Sequence, residues 1–162
     1  GTVAIAAACV PGSELLLAPV DPDHMRPAMD ALRLAGCCLQ WTAPRALRAM
    51  GSPRGSIGPV SVRTGPFPGF PTDLQPQMTA LLALADGVSS VEETVFEARL
   101  RHAAQLRRMG AVVEQTGRRS LRIEGRAALR GCEVKAADLR GGAALVVAGL
   151  AAEGTTRILE PW

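Results

Sequence analysis

Residues 73–87 read DLQPQMTALLALADG, an apolar helical pattern that ends on glycine and leads directly into the strand pattern VSSVEETVF. Two further segments of the chain have the same design. They are TVAIAAACVPG (2–12), followed by SELLLAPV, and DLRGGAALVVAGLAAEG (138–154), followed by TTRILEPW. The closing glycines Gly12, Gly87 and Gly154 are separated by 75 and 67 residues. Recurrence at this spacing favours an α/β fold that is built from repeats.

A second class of helix recurs at a matching interval. MDALRLAG ends at Gly36, and AAQLRRMG ends at Gly110, which lies 74 residues later. Each helix is followed by three strand patterns. These are CCLQWT, RALRAM and PVSVRT (59–64) in the first copy, and AVVEQT, SLRIEG and CEVKAA (132–137) in the second. The predicted unit is helix, strand, helix and three strands, with two nearly complete copies and a third that has started. Residues 51–59 read as a surface loop inside the first copy.

The two helix classes differ in their apolar patterns. The helices near 24–35 and 97–109 are amphipathic, whereas the glycine-ended helices are apolar nearly all round, so we expect the latter to be buried on every side. This layout puts the apolar helices inside, with strands and amphipathic helices outside. If the three inner helices run parallel, their N-termini meet at one end and form a site for anions. Asp73, Asp138 and Arg140 would lie at that end.

The loop before the second apolar helix is stiffened by prolines and delivers one carboxylate, Asp73. Pro76 lacks an N–H and fits only where a helix does not need that donor. With Asp73 as the N-cap, Pro76 takes the third helical position, whose N–H has no partner within the helix. A cap at Thr72 would complete a capping box with Gln75 but would move Pro76 to a donating position. We therefore expect Asp73 to be the cap, worth about 1 kcal/mol.

The composition describes one domain with an aliphatic core. The chain has 162 residues, of which 48% are apolar and only 3% aromatic. Its net charge is +3, and all of its basic residues except Lys135 are arginines, whose planar guanidinium groups suit carboxylates and phosphates.

The cysteines and the hydropathy pattern bear on cofactors and location. None of the four cysteines forms a C-x-x-C pair, so we expect neither a metal site nor a disulfide framework. Buried, reduced thiols in a cytoplasmic protein are the simplest interpretation. No apolar run reaches the roughly 18 residues of a membrane span, so we expect no membrane partner. The chain begins directly in a helical pattern and ends directly after a strand pattern, which suggests part of a longer protein.

Three runs of the sequence resemble the bacterial UDP-N-acetylglucosamine enolpyruvyl transferases. They are PGFPTDLQPQMTALLALADG, VEETVFEARLRHAAQLRRMGA and DLRGGAALVVAGLAAEGTT, and the similarity covers essentially the whole chain. The resemblance implies a two-lobed enzyme in which each lobe is an inside-out α/β barrel of three repeats. Such an enzyme transfers the enolpyruvyl group of phosphoenolpyruvate to the 3′-hydroxyl of UDP-N-acetylglucosamine and releases phosphate, without a cofactor. This is the first committed step of peptidoglycan synthesis, so the implied keywords are transferase and cell wall biogenesis.

The resemblance also implies roles for particular residues. Asp73 matches an aspartate that contacts the sugar 3′-hydroxyl and is proposed to take its proton. Val95 matches a position that binds the UDP-sugar through its backbone, and Arg99 matches an arginine near the enolpyruvyl carboxylate. Asp138 and Arg140 match a pair that flanks the reacting centre.

Other features set the limits of the resemblance. Thr72 stands beside Asp73 in the substrate-binding segment and is expected to support the Asp73 backbone. Ala98 replaces the asparagine that is usual in the family. The family's mobile-loop cysteine belongs to the other lobe, its lysine–asparagine pair lies near its N-terminus, and its DRGY segment would begin a few residues beyond Trp162. We therefore expect residues 1–162 to be most of one lobe, which folds alone but does not turn over substrate.

Simpler interpretations of the same residues remain open. Asp73 and Asp138 could be helix caps without a catalytic role, and His102 could be an ordinary surface residue. Arg99 could belong to a solvated arginine stripe with Arg101 and its neighbours. A basic chain could also bind nucleic acid, but the single lysine, the absence of tyrosine and the modest charge argue against that. A folded segment without any binding function is a third possibility.

Overall fold

A computed structural model describes residues 1–160, so the last two residues of the TTRILEPW segment lie outside the described part. Its elements, in chain order, are α1 (Thr2–Cys9), β1 (Glu14–Leu17), α2 (Pro22–Leu34), β2 (Leu39–Ala43), β3 (Ala46–Met50), β4 (Ser61–Arg63), a 3₁₀ turn (Thr72–Leu74), α3 (Gln75–Leu82), β5 (Val88–Glu92), α4 (His102–Arg108), β6 (Val112–Gln115), β7 (Ser120–Glu124), β8 (Glu133–Lys135), α5 (Leu139–Ala151) and β9 (Arg157–Leu159).

The element order confirms the predicted repeat. Helix, strand, helix and three strands run from α1 to β4 and again from α3 to β8, and α5 with β9 begins a third copy. The glycines that close the apolar helices, Gly12, Gly87 and Gly154, have φ angles of 77°, 138° and 86°. Only glycine enters this region of positive φ at little cost, so these glycines mark the turns into the next strands, but the helices end three to five residues earlier than predicted, at Cys9, Leu82 and Ala151. Helix α4 begins at His102, later than the predicted start near 97.

The strands of residues 1–160 form three small sheets. The first has the order β1-β3-β2 and is antiparallel, and the second has the order β4-β5-β7-β6. Strand β4 pairs with β5 in parallel, and β8 pairs with β9 in parallel. Each parallel pair therefore joins the last strand of one copy to the first strand of the next, so the repeats are linked by hydrogen bonds as well as by the chain.

The apolar helices α1, α3 and α5 pack against one another in the core. All eight residues of α3 are buried, as expected. The expectation of burial on every side is wrong for α1, where Val3 is 50% exposed. It is also wrong for α5, where Leu139, Val146 and Leu150 are more than half exposed. These three residues share one face of the helix because they are spaced by seven and four positions. No other described element covers that face.

The starts of the three core helices lie at the same end of the fold, as predicted. Gln77 in the first turn of α3 donates a hydrogen bond of 3.0 Å to the Thr2 hydroxyl at the start of α1. Arg140 in the first turn of α5 reaches Asp73, just before α3, at 2.7 Å. This end of the fold therefore gathers the candidate site residues.

Two predictions about burial need correction. The 51–59 segment has no regular structure, but Ser52 and Ile57 within it are buried, so the loop packs inward in part. Cys9 is buried, which raises the pKa of its thiol, whereas Cys38 is exposed and departs from the expected buried thiols.

Among residues 1–160, no helix has the length and apolar character that crossing a bilayer requires.

Candidate active site

Asp73 lies at the predicted end of the fold, but it is not the helix cap. It sits inside the 3₁₀ turn, and the N-cap of α3 is Leu74, which makes no side-chain capping bond. The capping box from Thr72 to Gln75 is likewise not formed, because the Thr72 hydroxyl bonds to Glu93. Pro76 still occupies a first-turn position that needs no N–H, since the helix starts only one residue later than predicted and Pro76 becomes its second residue.

The carboxylate of Asp73 is held between two guanidinium groups. Its Oδ1 accepts a hydrogen bond of 2.7 Å from Arg99 Nη1, and its Oδ2 accepts one of 2.7 Å from Arg140 Nη2. The bond from Arg140, and then that from Arg99, lowers the pKa of Asp73 below its ordinary value. Asp73 is therefore ionised near neutral pH. It also remains half exposed, so an incoming ligand can reach it.

Arg99 is fixed by three contacts and does not belong to a solvated stripe. Its Nη1 donates to the Thr72 hydroxyl at 3.2 Å as well as to Asp73. Its guanidinium group lies 4.1 Å from the centre of the Phe96 ring, within the range of a cation–π contact. The side chain is only 18% exposed. The simpler interpretation of Arg99 as a solvated residue is therefore wrong.

Asp138 and Arg140 occupy the start of α5. Asp138 is the N-cap, and its Oδ1 accepts a hydrogen bond of 2.8 Å from the Gly141 amide, so this aspartate does cap the helix, while its role beside the reacting centre stays a prediction. Arg140, the second residue after the cap, lies beside Asp73, and its hydrogen bond to that carboxylate raises the pKa of Arg140. The Nε of Arg140 is buried and has no hydrogen-bond partner among the described residues.

Val95 lies in the turn after β5, with its side chain 40% exposed. Its backbone N–H donates to Glu93 Oε1 at 2.9 Å. A backbone contact from Val95 to a ligand would therefore have to use the carbonyl oxygen. Beside this turn lies an open cleft of about 510 Å³. Its walls include Phe96, Ala98, Arg99 and the Asp138–Arg140 segment.

Two residues of this region were missed or misjudged from the sequence. Glu93 was treated only as part of a motif, yet it is completely buried. The alternating burial of β5 continues to this residue, since Ser89, Val91 and Glu93 all face inward, and that alternation could have revealed it. His102 was expected at the surface but is 2% exposed, and its Cβ lies beside Gly141 in the first turn of α5.

The family model described as EPSP synthase (3-phosphoshikimate 1-carboxyvinyltransferase) matches residues 1–161. The chain belongs to this family. It is 46% identical over 158 residues to a protein of Desulfofundulus thermocisternus and 44% identical over 160 residues to one of Staphylococcus epidermidis. Both relatives carry the name UDP-N-acetylglucosamine 1-carboxyvinyltransferase, the second with the suffix 1.

Coverage of these relatives is partial. The alignments take in 98% and 99% of this chain, but 63% of the Desulfofundulus protein and 37% of the Staphylococcus protein. Among solved structures, the enolpyruvyl transferase NikO from Streptomyces tendae matches with a TM-score of 0.85 at 25% identity, over 99% of this chain and 37% of that one. EPSP synthase from Acinetobacter baumannii matches with a TM-score of 0.71 at 18% identity, over 99% of this chain and 38% of its own, which shows the fold alone. The fold is therefore the α/β fold of the EPSP synthase family.

Within this EPSP synthase family member, His102 gives a pH-dependent test of the packing beneath the site. Its Nδ1 lies 3.1 Å from the Arg99 carbonyl oxygen, to which it donates in the neutral tautomer that carries the proton on Nδ1. Burial lowers the pKa of His102 from 6.5 to about 4. The folded chain thus keeps the imidazole neutral while the unfolded chain protonates it. The free energy of unfolding should fall as the pH drops from 6.5 towards 4, by about 2 kcal/mol between pH 7.5 and pH 5.

Denaturant unfolding at a series of pH values checks this expectation. The variant His102→Asn keeps a donor near the Arg99 carbonyl but cannot titrate, so its stability should depend less steeply on pH over that range. The control His24→Gln removes an exposed histidine and should keep the steep dependence. Equal pH dependence in the wild type and in His102→Asn would contradict the assignment.

Proposed function

We propose that residues 1–162 form most of one lobe of a UDP-N-acetylglucosamine 1-carboxyvinyltransferase. The substrates would be UDP-N-acetylglucosamine and phosphoenolpyruvate, with the second lobe supplying the rest of the site. The arrangement of helices inside and sheets outside corresponds, in this proposal, to an inside-out α/β barrel. The enzyme would act in the cytoplasm, in peptidoglycan synthesis, and would need no cofactor. The high identity to relatives of that name supports the proposal.

The single observation that carries the proposal is the placement of Asp73. An exposed carboxylate sits between Arg99 and Arg140 at the end where three core helices begin. Two guanidinium groups beside helix N-termini suit a substrate that carries a carboxylate and a phosphate. A carboxylate among them suits a substrate hydroxyl, because an ionised carboxylate can only accept hydrogen bonds.

In the proposed reaction, Asp73 accepts a hydrogen bond from the sugar 3′-hydroxyl. The hydroxyl oxygen adds to the carbon of the enolpyruvyl group that bears the phosphate, while the neighbouring methylene gains a proton. The C–O bond to phosphate then breaks, and loss of a proton restores the double bond. Because the low pKa of Asp73 makes it a weak base, it would take the hydroxyl proton late, as the new C–O bond forms.

The remaining residues would hold the substrates. Arg99 and Arg140 would exchange part of their contact with Asp73 for the carboxylate or phosphate of phosphoenolpyruvate. Val95 would bind the UDP-sugar through its carbonyl oxygen, and Thr72 would support the Asp73–Arg99 pair. Asp138 would act beside the reacting centre through its charge and by fixing the start of α5, which positions Arg140.

A chimaera tests the proposal. This chain would replace the matching segment of the Staphylococcus epidermidis relative, and phosphate release would be measured with both substrates and with each one alone. We expect release only with both substrates, and none from the isolated chain. A chimaera that folds, as judged by circular dichroism and a cooperative thermal transition, but releases no phosphate would contradict the proposal. Salt-sensitive binding of DNA or RNA would instead favour a nucleic-acid module.

A further inference from the structure

We infer that Glu93 is a positioning residue, a buried carboxylate that sets the hydrogen-bond direction of Thr72 and the shape of the 94–96 turn, and so holds Arg99 and Asp73 in place. The inference rests on the proposed function for its effect on turnover. Its effect on Arg99 does not depend on that function.

Glu93 is buried completely, and four donors satisfy its carboxylate. Oε1 accepts from the Thr64 hydroxyl at 3.0 Å and from the amides of Val95 and Phe96 at 2.9 and 3.0 Å. Oε2 accepts from the Thr72 hydroxyl at 2.8 Å. A charged group in the interior is expensive unless it is fully hydrogen-bonded, so this set of partners is a specific arrangement.

The four bonds also fix the direction of a hydrogen-bond chain. A carboxylate can only accept, so the Thr72 hydroxyl must direct its proton to Glu93. Its oxygen is then free to accept from Arg99 Nη1, which it does at 3.2 Å. The chain therefore runs from Arg99 to Thr72 to Glu93 in one direction only.

A second support of Arg99 also depends on Glu93. The bonds to the two turn amides hold the loop that carries the Phe96 ring, on which the Arg99 guanidinium lies. Thr72 and Phe96 thus hold Arg99 from two elements, and one buried carboxylate joins both of them. Since Arg99 donates directly to Asp73, a substitution of Glu93 should alter the position of the Asp73 carboxylate, although Glu93 does not bond to Asp73.

Glu93→Gln is the direct test, because glutamine has nearly the same shape but offers one acceptor and one donor. Its carbonyl oxygen can keep the amides of Val95 and Phe96, so its NH₂ must face Thr72. The Thr72 hydroxyl then accepts from this NH₂ and turns its own proton towards Arg99 Nη1, so that two donors face each other. We expect exchange of the Arg99 guanidinium protons with water, measured by NMR on the 162-residue chain, to become about tenfold faster.

Thr72→Val breaks the same chain at its middle and should produce a similar acceleration. The double variant should exchange no faster than either single one, because both changes remove one pathway. Thr72→Ser retains the hydroxyl and should keep slow exchange. If Glu93→Gln does not fold, the comparison of Thr72→Val with Thr72→Ser still tests the inference. Equal exchange of the Arg99 protons in these two variants would overturn it.

The matched control is Ser89→Ala. Ser89 is a buried polar residue on β5, the strand that leads to Glu93, and its hydroxyl accepts from the Val60 amide at 3.2 Å, outside the site. This variant should lower stability without changing Arg99 exchange. In the active chimaera, Glu93→Gln should lower kcat about tenfold with a smaller change in KM, whereas Ser89→Ala should not.

The outcomes separate the two proposals. An inactive wild-type chimaera overturns the proposed function, while Arg99 exchange in the chain still tests Glu93. Arg99 exchange in Glu93→Gln that matches the Ser89→Ala control overturns the positioning role, whatever the chimaera does.

Discussion

Asp73→Asn should lower phosphate release by the chimaera by at least about 100-fold, the scale of a lost proton-transfer group. Asparagine keeps the size of the side chain and one acceptor, but it cannot take the proton of the sugar hydroxyl. Its NH₂ group also faces a guanidinium, so the pair of 2.7 Å contacts with Arg99 and Arg140 is not preserved. Asp73→Glu should be slow as well, since the extra methylene moves the carboxylate away from both arginines.

The same variant should barely affect folding. Asp73 caps no helix, and its ion pairs lie partly in solvent, so their net contribution to the free energy of unfolding is below about 1 kcal/mol. Asp86→Asn is the matched control, because Asp86 is an aspartate paired with Arg126 away from the site. It should leave phosphate release unchanged. Release by Asp73→Asn within tenfold of the wild type would show that Asp73 is not the proton acceptor.

The order of the elements could be predicted from the sequence because its signals are local. An apolar run followed by a glycine with positive φ indicates the helix and the turn that follows it, although the helices end three to five residues before the glycine, and the strands follow from their alternation. The same signals recur in each copy, so a weak pattern in one copy was supported by the other. The predicted start of α4 near residue 97 is less accurate, because residues 97–101 form turns before the helix begins and the periodicity does not reveal them.

The contacts of the site could not be predicted in the same way. Asp73 meets arginines that lie 26 and 67 residues further along the chain, whereas capping is decided within one turn of helix. The local pattern around Asp73 fits a cap equally well, and only the meeting of α3 and α5 decides between a cap and an ion pair. The resemblance grouped Asp73, Arg99 and Arg140 as substrate contacts, but it did not indicate that they bond to one another.

His102 illustrates the opposite problem. Its neighbours in sequence include several arginines, which favours an exposed helix face, yet its side chain lies on the buried face. The spacing of Leu100, Ala103 and Leu106 does identify that face, and His102 lies beside it. Whether the edge of such a face is buried depends on what packs there. In this fold the start of α5 packs against that edge, where Gly141 lies beside the Cβ of His102.

The largest loss of stability should come from Gly125→Ala, at a position that repeats in the fold. Gly51 and Gly125 end equivalent hairpins 74 residues apart. Their amides donate to the Ser13 and Gly87 carbonyls, just beyond the closing turns of α1 and α3, at 2.8 and 2.9 Å. Each glycine thus joins the end of a hairpin to the end of a buried helix, and the backbones approach closely there.

A methyl group has no room at this junction. A Cβ on Gly125 would lie 1.8 Å from the Ala85 carbonyl oxygen, and one on Gly51 would lie 1.9 Å from that of Val10. Both neighbours are backbone atoms, so the hairpin and helix would have to separate. Overpacking of this kind costs about 3 kcal/mol, and the smaller entropy of the unfolded alanine chain recovers less than about 1 kcal/mol of it.

Thermal and denaturant unfolding of the chain check this expectation. Gly125→Ala should lower the free energy of unfolding by about 2 to 3 kcal/mol, or the Tm by roughly 5 to 10 °C for a chain of this size. The control Gly117→Ala lies in the β6–β7 hairpin, where the nearest atoms to an added Cβ belong to Ser120 at 3.9 Å, so its effect should stay within about 0.5 kcal/mol. Equal effects of the two variants would mean that the chain relaxes at Gly125. The close approach would then not hold the hairpin of the repeat against its buried helix.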